Sequence, residues 1–479
     1  MTNTPNPISA DAAASDTDSS AAVVSLYQKH RKIYARSVTG VFVQWRWALV
    51  WLTQIIFYGL PWLQWNDRQA LLFDLVSRRF YIFGLVLYPQ DLIYLSALLM
   101  ISAYALFLFT AVAGRLWCGY ACPQTVYTEI FMWIERKVEG DRPARMRLDR
   151  EGRSLRKLGL KSAKHLLWIA LALWTGLTFV SYFTPIRSLL GSVGNLALGP
   201  WETFWVLFYG FATYGNAGFM REQVCKYMCP YARFQSSMFD HDTMIITYDK
   251  ARGEPRGPRS KKADPAALGL GACVNCNLCV EVCPTGIDIR NGLQYECIGC
   301  AACVDACDQV MDRMNYPRGL IRYTTQNGLA NHWSTRQIIA HALRPRVLVY
   351  SSILAAVTIA LFAHMLTRVP LKVDVIRDRG SLGREVEDGM IENVYSLQVI
   401  NTAEIGRKYK LSVSGIESAR IASESEVEVP RAEARLLPVR VRITGGTAKP
   451  GTSKVVFQIE AVDDPAVAVR EKSTFFVPR

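Results

Sequence analysis

Histidine is scarce in this 479-residue chain, at six residues. Only His165 and His364 fall at or within its long apolar runs, near opposite faces, so paired haem ligands are not indicated and both read as satisfied interfacial histidines. There is no G-x-G-x-x-G turn and no Walker loop, hence no indicated nucleotide site. No A-x-A cleavage site preceded by an apolar run stands near the start, so a removable signal peptide is not expected. From about residue 370 onward there is no cysteine, which excludes an internal disulfide, and no catalytic constellation. The basic stretch 250–262, KARGEPRGPRSKK, lacks interleaved aromatics. It reads as a solvated tether drawn to anionic lipid, without nucleic acid as a partner.

Cysteine, by contrast, is concentrated. Eight of the twelve lie in 273–307, CVNCNLCVEVCPTGIDIRNGLQYECIGCAACVDAC, as two runs of C-x2-C-x2-C-x3-C. Disulfides this dense would need an oxidising compartment, and zinc favours two-by-two spacing with longer gaps. The spacing is that of a bacterial two-cluster ferredoxin, in which the fourth thiolate of each run crosses to the other cluster. The expected ligands are therefore Cys273, Cys276, Cys279 and Cys307 for one [4Fe-4S] cluster, and Cys297, Cys300, Cys303 and Cys283 for the second. Pro284 turns the chain after the first run. Asp308 stands where the second run would carry proline, which weakens the expectation of a turn there.

Half of the residues are hydrophobic, with 12 Trp, 20 Phe and 21 Tyr, and this leans toward a membrane protein. The net charge of +14 crowds beside apolar runs, the form a positive-inside bias takes. Residues 1–24 have almost no large apolar groups and should be disordered. Five spans are expected, at 41–65, 91–114, 163–183, 201–220 and 347–366, with Arg46 snorkelling to the interface. The stretch 66–90 is too short in apolar residues to cross and reads as a surface or re-entrant loop.

Basic residues are dense before the first span, between the second and third (Arg136 to Lys161) and after the fourth. The N-terminus and the cysteine-rich region should thus be cytoplasmic, and the chain beyond residue 366 periplasmic. The resulting domains are 1–38, a basic N-terminal segment; 39–239, a four-helix membrane unit; 240–346, a ferredoxin-like domain; 347–366, a fifth span; and 367–479. That last part alternates over about seven strands, beginning LKVDVIRD and ending STFFVP, and fits an immunoglobulin-like sandwich.

The other four cysteines form two copies of C-x3-C-P, Cys118, Cys122 and Pro123, then Cys225, Cys229 and Pro230. Each comes just after an expected outward-to-inward span, so the two pairs share a membrane depth and could meet. Proline suits the first position of a helix, and a thiol at a helix N-terminus has a lowered pKa. Four such thiolates suit Cu(I) or a third iron–sulfur centre; the plain alternative is buried cysteines near helix ends.

With the double run, the two C-x3-C-P motifs after alternate spans, the fifth span and the terminal sandwich in this order, the chain resembles the cytochrome c oxidase accessory protein family, of the CcoG/FixG type. The resemblance covers nearly everything after residue 25. It implies a protein of the bacterial cytoplasmic membrane, a metal-ion oxidoreductase reducing Cu(II) to Cu(I) for a cbb-type oxidase. The eight ferredoxin cysteines would relay electrons and Cys118, Cys122, Cys225 and Cys229 would bind or reduce copper. Implied partners are a cytoplasmic electron donor and a copper chaperone or oxidase subunits. Two other readings fit the same motifs: a quinone-linked electron carrier, and an oxidase assembly scaffold without redox catalysis.

Overall fold

A computed structural model describes residues 32–265, 267–378 and 383–478. The tail at 1–24, expected to be disordered, lies outside the described residues. An extended segment leads into α1 (Val41–Gly59), which ends before Pro61. Five short strands come next: β1 (Gln64–Trp65), β2 (Arg68–Gln69), β3 (Leu71–Asp74), β4 (Arg79–Ile82) and β5 (Leu85–Leu87). The stretch 66–90, expected as a surface or re-entrant loop, forms most of this cluster of strands, with Leu72, Tyr81 and Val86 buried. Its strands, each only two to four residues long, carry too little alternation to be read from sequence.

Beyond them stand α2 (Leu92–Ala113), α3 (Leu116–Tyr120), α4 (Pro123–Glu139), α5 (Arg142–Arg150), α6 (Leu155–Val180), α7 (Ile186–Gly194) and α8 (Pro200–Thr213). α8 passes into two π-helical stretches, Tyr214–Met220 and Val224–Met228, before α9 (Pro230–Met238). Wide turns of this kind are rare and gather at functional sites.

Three stretches among the described residues are long and apolar enough to cross a bilayer: Pro89–Ala113, Leu155–Val180 and Pro345–Leu366. The chain is therefore membrane-associated, but the five expected spans are not all reproduced. In α1, Gln44, Arg46 and Gln54 dilute the apolar character of a 19-residue helix. α8 has only 14 residues before its hydrogen-bond ladder widens. Both still expose large apolar side chains, among them Trp51, Ile55, Trp201 and Phe211. α6 and α8 touch closely at Gly176, where a Cβ would lie 2.3 Å from the Val206 carbonyl.

The cysteine-rich domain is mostly loop, closed by the antiparallel pair β6 (Ile245–Tyr248) and β7 (Ile321–Thr324). Short helices α10 (Lys250–Gly253) and α11 (Leu278–Glu281) and the longer α12 (Ala302–Met314) pack around it. α12 runs straight through Cys307, so no turn comes after the second run. Asp308 keeps the helix intact where proline would break it. The basic stretch is no free tether: Arg252 hydrogen-bonds the carbonyl of Arg318 at 2.9 Å, and Arg259 that of Gly271 at 2.7 Å.

After α13 (Gln326–Ala330), α14 (Thr335–Ala342) and α15 (Pro345–Leu366), the chain forms a two-layer antiparallel sandwich. Its strands are β8 (Leu371–Arg377), β9 (Arg384–Val386), β10 (Met390–Asn401), β11 (Arg407–Ser414), β12 (Arg420–Ile421), β13 (Glu426–Val429), β14 (Ala434–Thr444), β15 (Gly451–Ala461) and β16 (Ala468–Val477). One sheet runs β12-β14-β10-β8 with β9 beside β10, the other β13-β11-β15-β16. All seven expected strands form. Alternate residues such as Tyr395, Leu397, Val441, Phe457 and Phe475 fill the core.

The sandwich rests on the β3–β5 sheet through Leu72, Tyr81, Val86, Tyr88, Ile400 and Ala432, with a Tyr88 hydroxyl to Ala432 carbonyl bond of 3.0 Å.

Candidate functional site

The first run of cysteines sits on tight turns. Asn275 and Asn277 adopt left-handed backbone conformations (φ 52° and 58°), which asparagine tolerates. Arg290, 8% exposed, fastens them: its Nη1 and Nη2 donate to the Asn275 and Asn277 side chains, each at 2.8 Å, and its Nε to Asp288 at 2.8 Å. Gly299 and Ala301 supply the equivalent left-handed turns in the second run. Tyr323 donates its hydroxyl to the Gly299 carbonyl and so pins that loop to β7.

These turns gather the thiols around two adjoining cavities. Cys273, Cys276, Cys279 and Cys307 line one, walled by Tyr248, Val310, Met311 and Leu320. Cys283, Cys297, Cys300 and Cys303 line the other, which Cys279 also borders. α12 is the physical reason for the crossing, because Cys303 and Cys307 lie one turn apart on it and face different cavities.

Among the described residues no three His, Cys, Asp or Glu side chains converge tightly enough for a single metal ion. Thiols set apart around a cavity suit a polynuclear cluster occupying the space between them, and the all-thiol donor sets fit [4Fe-4S] chemistry.

Burial pushes the Cys279, Cys297 and Cys307 thiols up to about 12, and raises Cys300 and Cys303 as well. Buried guanidiniums offset part of this: Arg290 acts on Cys279, Arg115 on Cys297 and Arg46 on Cys300. Binding a positively charged metal core would release these protons. Nothing in the sequence pattern ties these three arginines to the thiols. Arg46 does not snorkel; it is 5% exposed and paired with Glu129 of α4.

The C-x3-C-P motifs behave alike. Cys122 and Cys229 each stand at the N-cap of a helix that begins with proline, α4 and α9. Cys118 lies on α3 and Cys225 on the second π-helical stretch. The structure brings the four near enough for their charges to interact, but not into a set that already converges on a single metal ion. After burial, which dominates, the charges of Cys122, Cys225 and Cys229 all act to raise the Cys118 thiol, to about 12.

Burial likewise raises Cys122, despite hydrogen bonds from the backbone of Gln124 and Thr125. The lowering expected at a helix N-terminus is thus reversed, since desolvation outweighs the helix end. The Cys118 thiol donates to Gln235 at 3.3 Å.

Cys118 and Cys225 pack against a buried cluster of Val282, Ile298, Cys300, Ala302 and Ala306, most of it from the second run. At Gly119 a Cβ would meet the backbone of Cys300 at 2.9 Å, so the two cysteine sets press together without intervening side chains. The two histidines are satisfied by tyrosines, His165 Nδ1 by Tyr214 at 3.0 Å and His364 Nδ1 by Tyr94 at 2.8 Å.

Comparison with known proteins places this geometry. Residues 220–326 match a family described as a 4Fe-4S dicluster domain, residues 95–139 a 4Fe-4S binding domain, and residues 361–478 an "IG-like fold at C-terminal of FixG". The second of these spans Cys118 and Cys122. Nitrogen fixation protein FixG of Rhizobium meliloti is 38% identical over 84% of this chain and 83% of its own. Protein RdxB of Cereibacter sphaeroides is 39% identical over 89% and 91%.

A solved FixG-related protein from Vibrio parahaemolyticus aligns with 22% of this chain and 95% of its own, at 24% identity and a TM-score of 0.21. From its length-spanning relatives and its matched domains, the chain belongs to the FixG-type family as an iron–sulfur electron-transfer protein.

Proposed function

We propose that this chain passes single electrons from a cytoplasmic donor to copper(II) at Cys118, Cys122, Cys225 and Cys229, yielding copper(I) for assembly of a cbb-type cytochrome c oxidase. The observation that carries this reading is the packing of Cys118 and Cys225 against the buried cluster that contains Ile298 and Cys300, together with the close approach of Gly119 to the Cys300 backbone. Cys273, Cys276, Cys279 and Cys307 would hold one [4Fe-4S] cluster and Cys297, Cys300, Cys303 and Cys283 the other. When bound, these groups supply one-electron carriers. One electron converts one Cu(II) to Cu(I), and no proton needs to move. Cysteine thiolates are soft ligands and favour the reduced ion. Cys276 is exposed, which gives the first site an open side for a donor.

In this reading α1, α2, α6, α8 with its π-helical extension, and α15 are five spans. The N-terminus and cysteine-rich domain face the cytoplasm and the sandwich the periplasm. Basic residues beside α1, α5 and α6 support that orientation. So does the placement of β3–β5 beside the sandwich, at the far ends of α1 and α2 from the cysteines.

A second reading has its own support: the match of residues 95–139 to a 4Fe-4S binding domain favours a third iron–sulfur centre at the same four cysteines. Anaerobic iron and sulfide analysis with EPR separates the two. About eight iron atoms per chain accompany two cubane centres, and about twelve a third. Reduced protein should convert Cu(II) to Cu(I), and Cys118→Ser with Cys225→Ser should abolish this while leaving the signals of the other eight cysteines. Failure of intact, reduced protein to reduce Cu(II) would refute the copper reading.

A further inference from the structure

Apart from the cysteine sites, a cavity of about 370 Å³ lies where the cysteine-rich domain rests on the start of α1. Four arginines line it, Arg36, Arg46, Arg136 and Arg145, against a single carboxylate, Glu129. Three have partners: Arg46 pairs with Glu129, Arg36 with Glu281 at 3.2 Å and Arg145 with Glu135 at 3.0 Å. The Arg136 guanidinium has no ion-pair or hydrogen-bond partner among the described residues.

Arg46 and Arg145 are only 5% and 3% exposed, yet neither Nε–H has an acceptor. Guanidiniums this buried and crowded on one cavity with a single lining carboxylate favour an anion there.

We infer that this cavity binds a phosphoryl anion. A tetrahedral group with several acceptor oxygens can take the unpaired Arg136 guanidinium and neutralise the positive charge of the arginines crowded beside it, and guanidinium forks match phosphate oxygens. The volume suits a headgroup-sized ligand. The surroundings point to a phospholipid headgroup as one source. Trp45 and Trp133 are 64% and 41% exposed, and Trp47 meets Trp133 edge to face at 6.4 Å. Lys137 lies over the Trp133 ring at 6.0 Å. Tryptophan and lysine at a helix end mark the depth of lipid headgroups. Free phosphate is the other source of the same chemistry. The site stands independently of the copper reading.

The test is calorimetric titration of full-length protein in detergent, its iron–sulfur absorbance intact. The titrants are inorganic phosphate, short-chain phosphatidylglycerol and short-chain phosphatidylcholine. Saturable binding of phosphatidylglycerol, unaffected by phosphate, identifies a lipid headgroup site; binding of phosphate, competing with the lipid, identifies a free-phosphate site. In either case Arg136→Gln should weaken binding by about tenfold or more, and Arg136→Lys should recover most of it. Glu129→Gln, which removes the one facing carboxylate, should tighten it, an opposite sign that misfolding cannot mimic. No saturable binding of phosphate or phosphatidylglycerol, or equal affinity in wild type and Arg136→Gln, overturns the inference.

Discussion

The Asp305 carboxylate accepts the backbone N–H of Val43 at 2.9 Å and that of Phe42 at 3.3 Å. A residue lodged between Cys303 and Cys307 therefore caps the first turn of α1, joining the cysteine-rich domain to the membrane part. Gly40 makes room for it, since a Cβ there would lie 2.2 Å from the Asp305 Cγ. Asp305→Ala should cost about 1–2 kcal/mol, the usual worth of an N-cap. Gly40→Ala should cost a similar amount by displacing the same carboxylate. Thermal unfolding followed by iron–sulfur absorbance and by tryptophan fluorescence checks this, with both probes expected to shift together.

Gly119→Ala should push α3 away from Cys300, because the added methyl meets backbone and no flexible side chain can yield. A penalty of about 1–3 kcal/mol is expected from overpacking. Stopped-flow mixing of reduced protein with Cu(II) should show slower transfer while the EPR signals of the eight ferredoxin cysteines persist.

A crossed ligand pattern would have its own signature. Cys283→Ser should erase the EPR signal of the second centre and spare the first, although Cys283 belongs to the first run in sequence. Cys307→Ser should do the reverse. Each should lower iron by about four atoms per chain. Loss of the first centre in Cys283→Ser would point to uncrossed pairing.

Glu135, 1% exposed, meets Arg145 at 3.0 Å and Arg221 at 2.9 Å, with Lys164 at 3.9 Å. Burial alone would raise its carboxyl, but Arg221, Arg145 and Lys164 together hold it below the ordinary value of 4.5. A depressed carboxyl contributes stability that is complete above the unfolded pKa and is lost as pH falls from there toward the folded one. Glu135→Gln should cost about 3–5 kcal/mol at neutral pH by stranding buried cations. In urea titrations that gap should narrow below about pH 4.5.

The periodic parts of the fold were legible in the chain. Alternation in β10 and β15 needs only a side chain's own preference for core or water, and the seven strands formed where it occurs. Cysteine spacing likewise encodes its loops, because C-x2-C leaves little freedom in how two thiols can face one cavity. What escaped was set by distant partners. Arg46 reads as a snorkelling residue until Glu129, 83 residues away, is seen beside it. Arg290 becomes a clamp only once Asn275 and Asn277 have turned left-handed. The pKa of Cys122 responds to burial more than to its helix position, and burial is a property of the packed fold.

The quartet Cys118, Cys122, Cys225 and Cys229 is split between α3–α4 and the segment after α8, so no single stretch of nascent chain carries it whole. Its formation waits until both arms and the second cysteine run have packed together around Gly119. A chain in which either arm is missing or misplaced would offer these thiols only in pairs, so any chemistry that needs all four would depend on the assembled helices.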